Sequence, residues 1–461
     1  MTHDASGRVL PKLILVVLAA GILFAAVAAL RVGDTPEIAI RPGMPAIGAR
    51  TPVEIAIDGR GRGFTAVAVE MVQGGRAQPL GRKTFQPAPW WSISSKGTGK
   101  DTMKVEVGRE TVKGLQGTPL TIRVTGERAG TLLRSPDPVV SEVTLPVRLT
   151  PPTLGVVSTA TYVTQGGCEA VVYRVGETSV KDGVEAGGWF FPGFPLPGGG
   201  KGDRFALFAV PYDMRAAAEV RVVAVDDVGN RAQTGFIDKF TPDPPREDTI
   251  QLDEAFLGRV VPAILSQTPG MADHGGLLQN FLAINGELRR ENNEELKKLA
   301  SASRTEFLWT APFEAMRNTG IMAHFADRRS YVLHGKVVDH QDHLGLDLAK
   351  TESAPIPAAN DGVVVLARYL GIYGNAVVID HGFGLMTLYG HMSAVDVKEG
   401  QSVKKGETLG RTGETGLAGG DHLHFAILLQ GLSVRPQEWI DGHWIHDRIA
   451  RKIGPGMPFR G

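Results

Sequence analysis

Residues 13–30 form an uninterrupted run of 18 apolar or small residues, just long enough to enter or cross a bilayer, for which about 20 are typical. From Pro36 to Val147 the pattern changes to period two. Val53, Ile55 and Ile57 alternate with polar or small residues, as do Leu120, Ile122 and Val124, and Gly-rich turns separate such runs. Alternation of this kind sends one face of a strand into a core. A Pro-containing joint at 149–153 (LTPPT) leads to a second β region ending near Phe240, and a second joint at 241–245 (TPDPP) echoes the first. Residues 250–303 then take helical spacing: Leu277, Phe281, Ile284 and Leu288 share one face, while ELRRENNEELKK at 287–298 is charged and solvated. Short β runs return at 363–366, 376–380 and 386–389, the last two joined by Gly382, Phe383 and Gly384 as a hairpin turn, and 403–413 adds a paired-turn unit.

The predicted fold class is mainly β. It comprises an apolar amino-terminal segment at 1–34, sandwich-like modules in tandem at 35–149 and 150–245, a helical linker at 246–306, an antiparallel β domain at 307–445 and a carboxy-terminal tail at 446–461. A strand ending in Asp-x-x-Gly-Asn, VRVVAVDDVGN at 220–230, resembles the late strand and turn of bacterial immunoglobulin-like modules. Composition agrees, since 58 Gly and 29 Pro with 7% aromatics suit short strands and tight turns. A length of 461 residues, 43% of them hydrophobic, is enough for about three cored domains. Residues 441–461, with His443, Trp444 and His446, read as a surface tail.

Charge narrows the function classes. Lys plus Arg and Asp plus Glu each total 49 and the pI is near 7.2, so no electrostatic footprint for nucleic acid exists. Arg8 and Lys12 precede the apolar run, which favours a cytoplasmic amino terminus and an exported remainder. Ala26, Val27 and Ala28 form an A-x-A site, so a cleaved signal peptide is the alternative to a retained anchor. The run exceeds the ~7–15 residues of a signal core, which favours the anchor, and export is common to both. Cys168 is the only cysteine. It reads as a small buried residue, so the exported modules must rely on core packing. The loop GGWFFPGFPLPGGGKG at 187–202 concentrates Trp189, Phe190, Phe191 and Phe194, either as a binding tip or, the favoured reading, as cover for the open end of a sandwich.

Candidate chemistry lies near the end of the chain. Ten of the twelve histidines fall at or beyond His324, and three signatures stand in order: HLGLD at 343–347, LYGH at 388–391 and HLHF at 422–425. In a strand, His422 and His424 point the same way, with Leu423, Phe425, Ile427 and Leu429 opposite. HLGLD sets a His and a carboxylate four residues apart, with Gly345 disfavouring a helix between them. Catalytic zinc commonly takes three protein ligands of this type and leaves a position for water. His343, Asp347 and one histidine of HLH make such a set. His340 lacks a carboxylate four residues on, His381 sits at a hairpin turn, and Tyr389 reads as a strand residue.

The segment from about 310 to 440 resembles the lysostaphin-type, LytM-like zinc metallopeptidases of bacterial cell walls. The resemblance runs through GVVVLARY at 362–369, GNAVVIDHGFGLMTLYGHMS at 374–393, VKEGQSVKKGETLGRTGETG at 397–416, DHLHFAILLQG at 421–431 and VRPQEWI at 434–440. It implies a duplicated hybrid motif fold with the site along a groove floor, one Zn2+ per chain held by His343, Asp347 and His424, and His391 and His422 as unliganded catalytic histidines. It also implies hydrolysis of peptidoglycan stem or crosslink peptides in the cell envelope, and the apolar run at 13–30 adds tethering of the chain to the inner membrane by its amino-terminal helix. The β modules are candidates to hold an envelope protein partner. Alternatives are a non-catalytic module that binds wall or activates a hydrolase, and a peptidase of exported proteins. Two positions depart from the family pattern: Phe-Gly-x-Arg stands as Phe325, Ala326, Asp327, Arg328, and Asp421 replaces the usual Pro before HLH. The helical linker is expected to pack on its neighbours, with shielding of the groove, and so greater activity of residues 305–461 alone, as the sharper expectation.

Overall fold

The computed structural model of the chain describes residues 9–91, 97 and 99–460; Arg8, invoked above for topology, lies outside them. The apolar run becomes the helix Val9–Leu30, of which Pro11–Leu30 is long and apolar enough to cross a membrane. The chain forms two compact units, one of residues 1–151 with 225–231 and the other of 152–224 with 232–461.

In the first unit a three-stranded sheet (Glu37–Pro42, Thr51–Asp58, Lys100–Val107) and a four-stranded sheet (Arg76–Thr84, Phe64–Gln73, Leu120–Arg128, Val139–Leu145) share one apolar core. Val53, Ile55, Ile57, Leu120, Ile122 and Val124 are all buried in it, as one-sided burial of alternating strands demands.

The second unit opens with two four-stranded sheets. One is built on Cys168–Val175 and Asp203–Ala209, the other on Ser179–Ala186 and Arg221–Asp226. Cys168 is buried. Its main feature is an eight-stranded sheet in which Gly320–Ala323, Leu346–Ala349, Leu423–Leu429, Leu385–Met392, Asn375–Gly382, Gly362–Tyr369 and Ser402–Val403 neighbour one another in that order, with Leu432–Val434 beside Leu423–Leu429. Both faces of its central strand are buried, and the alternation divides them between two cores. Leu423, Phe425, Ile427 and Leu429 belong to one core, and Ala426 and Leu428 to the other.

The helical segment supplies the second of these cores. Glu254–Gln267, Leu277–Ala283, the π turn Ile284–Leu288 and Arg289–Ser301 bring Val260, Ile264, Phe281, Ile284, Leu288 and Leu296 against Val378, Met386, Leu388 and Leu428. Ahead of the helices, Glu247–Leu252 pairs in parallel with Asp327–Leu333, which in turn pairs with Lys336–His343. The linker is thus a structural layer of the peptidase-like sheet, and the joint at 241–245 marks no break in the core.

The first of these cores is shared with the preceding β module. Phe383, at the tip of the predicted hairpin turn, packs 4.8 Å from Phe194, 5.1 Å from Phe205 and 4.6 Å from Phe307, centroid to centroid. The aromatics of 187–202 therefore cover a module end, as favoured above, but their cover continues into the neighbouring domain. The surface tail is corrected. Gly442–Ile445 and the turns after it are helical, and Ile445, Ile449, Ile453 and Met457 are buried. Ile445, Ile449 and Ile453, four apart, make one helical stripe, and Met457 follows beyond the helix end. Lys452 reaches the buried Glu169 at 2.9 Å, and Glu438 accepts the Cys168 backbone N–H at 2.7 Å.

Candidate metal centre

Sheet register brings the signatures together. Asp347, in Leu346–Ala349, lies opposite His424, in Leu423–Leu429, and Gly390 lies opposite the same His424 from the other side. Directly opposed residues of antiparallel strands project from one face, so Asp347 and His424 meet. His391 follows Gly390 and would point away, but its left-handed backbone, φ 62°, turns it back. His343 ends Lys336–His343. The turn to Asp347 passes so close to His424 that a Cβ on Gly345 would lie 2.6 Å from His424 Cε1.

His343 Nε2, Asp347 Oδ1 and His424 Nδ1 make a triangle with edges of 2.9, 3.1 and 3.0 Å. Two imidazole nitrogens and a carboxylate oxygen so disposed fit one tetrahedral ion, whose ligands at about 2.0–2.1 Å would sit roughly 3.3 Å apart. The ring of His343 is aimed from outside the triangle: Nδ1 donates to the His324 carbonyl at 2.8 Å, leaving the Nε2 lone pair for the centre. Arg329 Nη2 donates to Asp347 Oδ2 at 3.0 Å, so the carboxylate is oriented from outside as well.

His391 and His422 border the triangle without joining it. Each donates Nδ1 to a backbone carbonyl at 2.8 Å, His391 to Thr415 and His422 to Gly420, which leaves Nε2 of each unclaimed by the backbone. Their ring centroids are 4.8 Å apart, and His422 Nε2 stands 3.5 Å from Asp347 Oδ1. Burial pushes the Asp347 carboxyl up, yet the surrounding histidines outweigh it and hold the group well below the usual carboxylate range. Burial, reinforced by His422 and His424, keeps His391 well below the usual imidazole value. Burial also lowers His424, to about 4. His422 goes the other way, because its contact with Asp347 overcomes burial.

His340 and His381 take no part in the triangle, although His340 borders the larger recess beside it. His340 bonds Ser330 on an exposed strand. His381 is fully buried between the Asp361 carbonyl and Thr387 Oγ1, and burial lowers it to about 4. The Tyr389 hydroxyl accepts the Ala359 N–H within the core.

Three residues of the groove escaped the sequence analysis. Arg329 contacts Asp347, whereas Arg328, the motif arginine, faces Glu247 and Asp342 at 3.6 and 3.8 Å. Tyr373, at the end of the tight turn Gly371–Tyr373, holds its ring 5.5 Å from that of His424, tilted by 44°. Arg289 comes from the helical segment. Two recesses flank the triangle, about 210 Å³ toward His391 and His422 and about 270 Å³ toward Asp342 and Tyr212, and Arg289 and Tyr373 border both. The turn Phe325–Arg328 carries a local conflict. Ala326 stands where the family pattern has Gly, at φ 64°, a region that costs an L-residue roughly 1–2 kcal/mol. Ala326→Gly is expected to stabilise the protein by about 0.5–1 kcal/mol after the entropy of glycine is counted. A urea midpoint that falls would show that the methyl contributes more by packing than its backbone costs.

Residues 341–436 match the profile of Peptidase family M23. The chain is 31% identical over 162 residues to peptidoglycan DD-endopeptidase ShyA of Vibrio cholerae, covering 35% of each chain. It is 38% identical over 123 residues to DD-carboxypeptidase/endopeptidase Mpg of Neisseria meningitidis serogroup B, covering 27% of each. Murein hydrolase activator EnvC of Escherichia coli is 38% identical over 96 residues, which are 21% of this chain and 23% of that one. The chain thus spans about a third or less of the length of these relatives. The groove that gathers His343, Asp347, His391, His422 and His424 is that of a peptidase family M23 domain of the LytM-like kind.

Proposed function

We propose that the protein is an exported zinc endopeptidase of peptidoglycan, with His343, Asp347 and His424 as the metal ligands. One observation carries this reading: two imidazole nitrogens and one carboxylate oxygen converge within about 3 Å of each other, with two further histidines beside them. Bound zinc supplies Lewis acidity to a carbonyl and lowers the pKa of water toward about 7. The chain's own part is to hold and move protons. Nε2 of His391 and of His422, unclaimed by the backbone because Nδ1 of each is bonded to it, can take a proton from attacking water, hydrogen-bond the developing oxyanion and return the proton to the leaving amine. The helix Pro11–Leu30 supports retention at the inner membrane, with the remainder in the periplasm or otherwise outside the cytoplasmic membrane.

A second reading follows from the likeness to the activator EnvC: the domain stimulates another hydrolase. An intact five-residue site argues against it, because buried imidazoles and a buried carboxylate have no structural benefit that packing could not supply. Purified full-length protein, incubated with sacculi with and without a chelator, decides between the two. Release of peptides with new amino and carboxyl termini, abolished by chelation, is expected. No release alone, but faster release by an added hydrolase, would establish the activator. Cleavage of an unfolded exported protein in place of sacculi would establish a protein peptidase.

A further inference from the structure

The larger recess beside the metal triangle contains an arginine whose charge no carboxylate among the described residues matches. Arg289 lies at the junction of a π turn, Ile284–Leu288, with the helix Arg289–Ser301. In an α-helix its amide would donate to the Asn285 carbonyl; here it donates to Ile284 and Gly286. The Asn285 carbonyl accepts Arg289 Nε at 3.1 Å instead, and Asn285 Oδ1 accepts Nη2 at 2.6 Å. Asn285 is itself fully buried and fixed through Nδ2 to Asp339 at 2.7 Å. One edge of the guanidinium is thereby clamped by neutral oxygens, and Nη1 is left for the recess. π turns are rare, poorly bonded and concentrated at functional sites, and this one sets the direction of a single side chain.

The other charges of the recess are already paired. Asp342 accepts the Tyr212 hydroxyl at 2.9 Å and faces Arg328, which also faces Glu247. Among the described residues no carboxylate lies within ion-pair distance of Arg289, so the recess holds one rigidly aimed, uncompensated cation next to the triangle. A planar guanidinium with a free edge is matched by a carboxylate, which it can engage through charge-assisted, paired N–H bonds. Asn293 and Tyr373 border the same space and add neutral polar groups.

We propose that this recess is a carboxylate-binding subsite, in which Arg289 takes a free carboxylate of the peptide segment adjoining the cut bond. The inference rests on the endopeptidase reading and names what that site selects: an acidic peptide over its neutral counterpart. Arg289 is thus a specificity residue supplied from outside the matched family segment at 341–436.

The test uses the full chain and crosslinked stem-peptide dimers isolated from sacculi, with their carboxyls either free or converted to carboxamides. The readout is the ratio of kcat/KM for the two substrates, with KM and kcat resolved. The wild type is expected to prefer the free carboxylate by about 10- to 100-fold, mainly through KM, the usual range for one charged hydrogen-bonded contact. Arg289→Gln should bring the ratio near one, and Arg289→Lys should retain part of it, since charge persists without the planar fork. A wild-type ratio near one, or a ratio that survives Arg289→Gln, overturns the subsite. If the wild type cleaves neither dimer, the endopeptidase reading has failed, and binding decides the subsite alone. Fluorescence anisotropy with a labelled stem tripeptide should then show about tenfold weaker binding to Arg289→Gln than to the wild type. Equal binding overturns the subsite.

Discussion

Replacement of His343, Asp347 or His424 by Ala is expected to empty the metal site, whereas replacement of His391 or His422 leaves metal near one equivalent and lowers turnover by orders of magnitude. The difference follows from what each group holds. The first three atoms form the 2.9–3.1 Å triangle, so removing one deletes a ligand and leaves too few bonds to retain the ion. In the proposed mechanism His391 and His422 contribute proton transfer and oxyanion stabilisation, worth about 100- to 10,000-fold for the proton-transfer role. The neighbours His422 and His424 give the sharpest contrast. Metal content by atomic emission, read with activity, tests it: metal lost from His422→Ala and retained by His424→Ala would reverse the assignment. Full activity and full metal in both variants would end the metallopeptidase reading.

Residues 305–461 expressed alone are expected to be unfolded or aggregated, while a chain beginning at residue 152 folds. This replaces the expectation that the shorter piece is the more active one. Cutting at 305 removes Val260, Ile264, Phe281, Ile284, Leu288 and Leu296 from one face of the eight-stranded sheet, and Phe194 and Phe205 from above Phe383. It also strips Asp327–Leu333 of its parallel partner. Burial of each such side chain is worth about 1.5–3 kcal/mol, so eight of them are worth about 12–24 kcal/mol, as much as or more than the roughly 5–15 kcal/mol by which a domain is stable. Circular dichroism and urea unfolding of the two pieces check this. A cooperative transition for 305–461 matching that of 152–461 would mean that the helical layer and the β module are accessories to an independently stable domain.

Local pattern alone carried much of this protein. Period-two alternation at Val53, Ile55, Ile57 and at Leu120, Ile122, Val124 was enough for the first β module, because a strand half in water must alternate. The Gly382–Phe383–Gly384 hairpin was equally local, and HLGLD and HLHF placed their donors by spacing within a turn or a strand. The stripe Ile445, Ile449, Ile453 was equally legible, since apolar residues repeating every four positions mark the buried face of a helix.

What the sequence by itself determined were the residues able to bind a metal and the strands that carry them. The tertiary structure decided which donors meet. Asp347 and His424 are 77 positions apart, and only the register of Leu346–Ala349 on Leu423–Leu429 makes them neighbours. The choice of Arg329 over Arg328 depends on which face of Asp327–Leu333 turns to the site, a matter of strand orientation that a four-residue motif leaves open. Arg289 was invisible for a stronger reason. Its helical stretch reads as a solvated charged face, and a bulge of one residue, together with the layer of helices packed on the sheet, turns it into the groove. Covalent neighbours set local conformation through sterics and hydrogen bonding, but proximity between distant segments is set by how whole apolar faces share cores, a property of the assembled fold and of no single stretch within it.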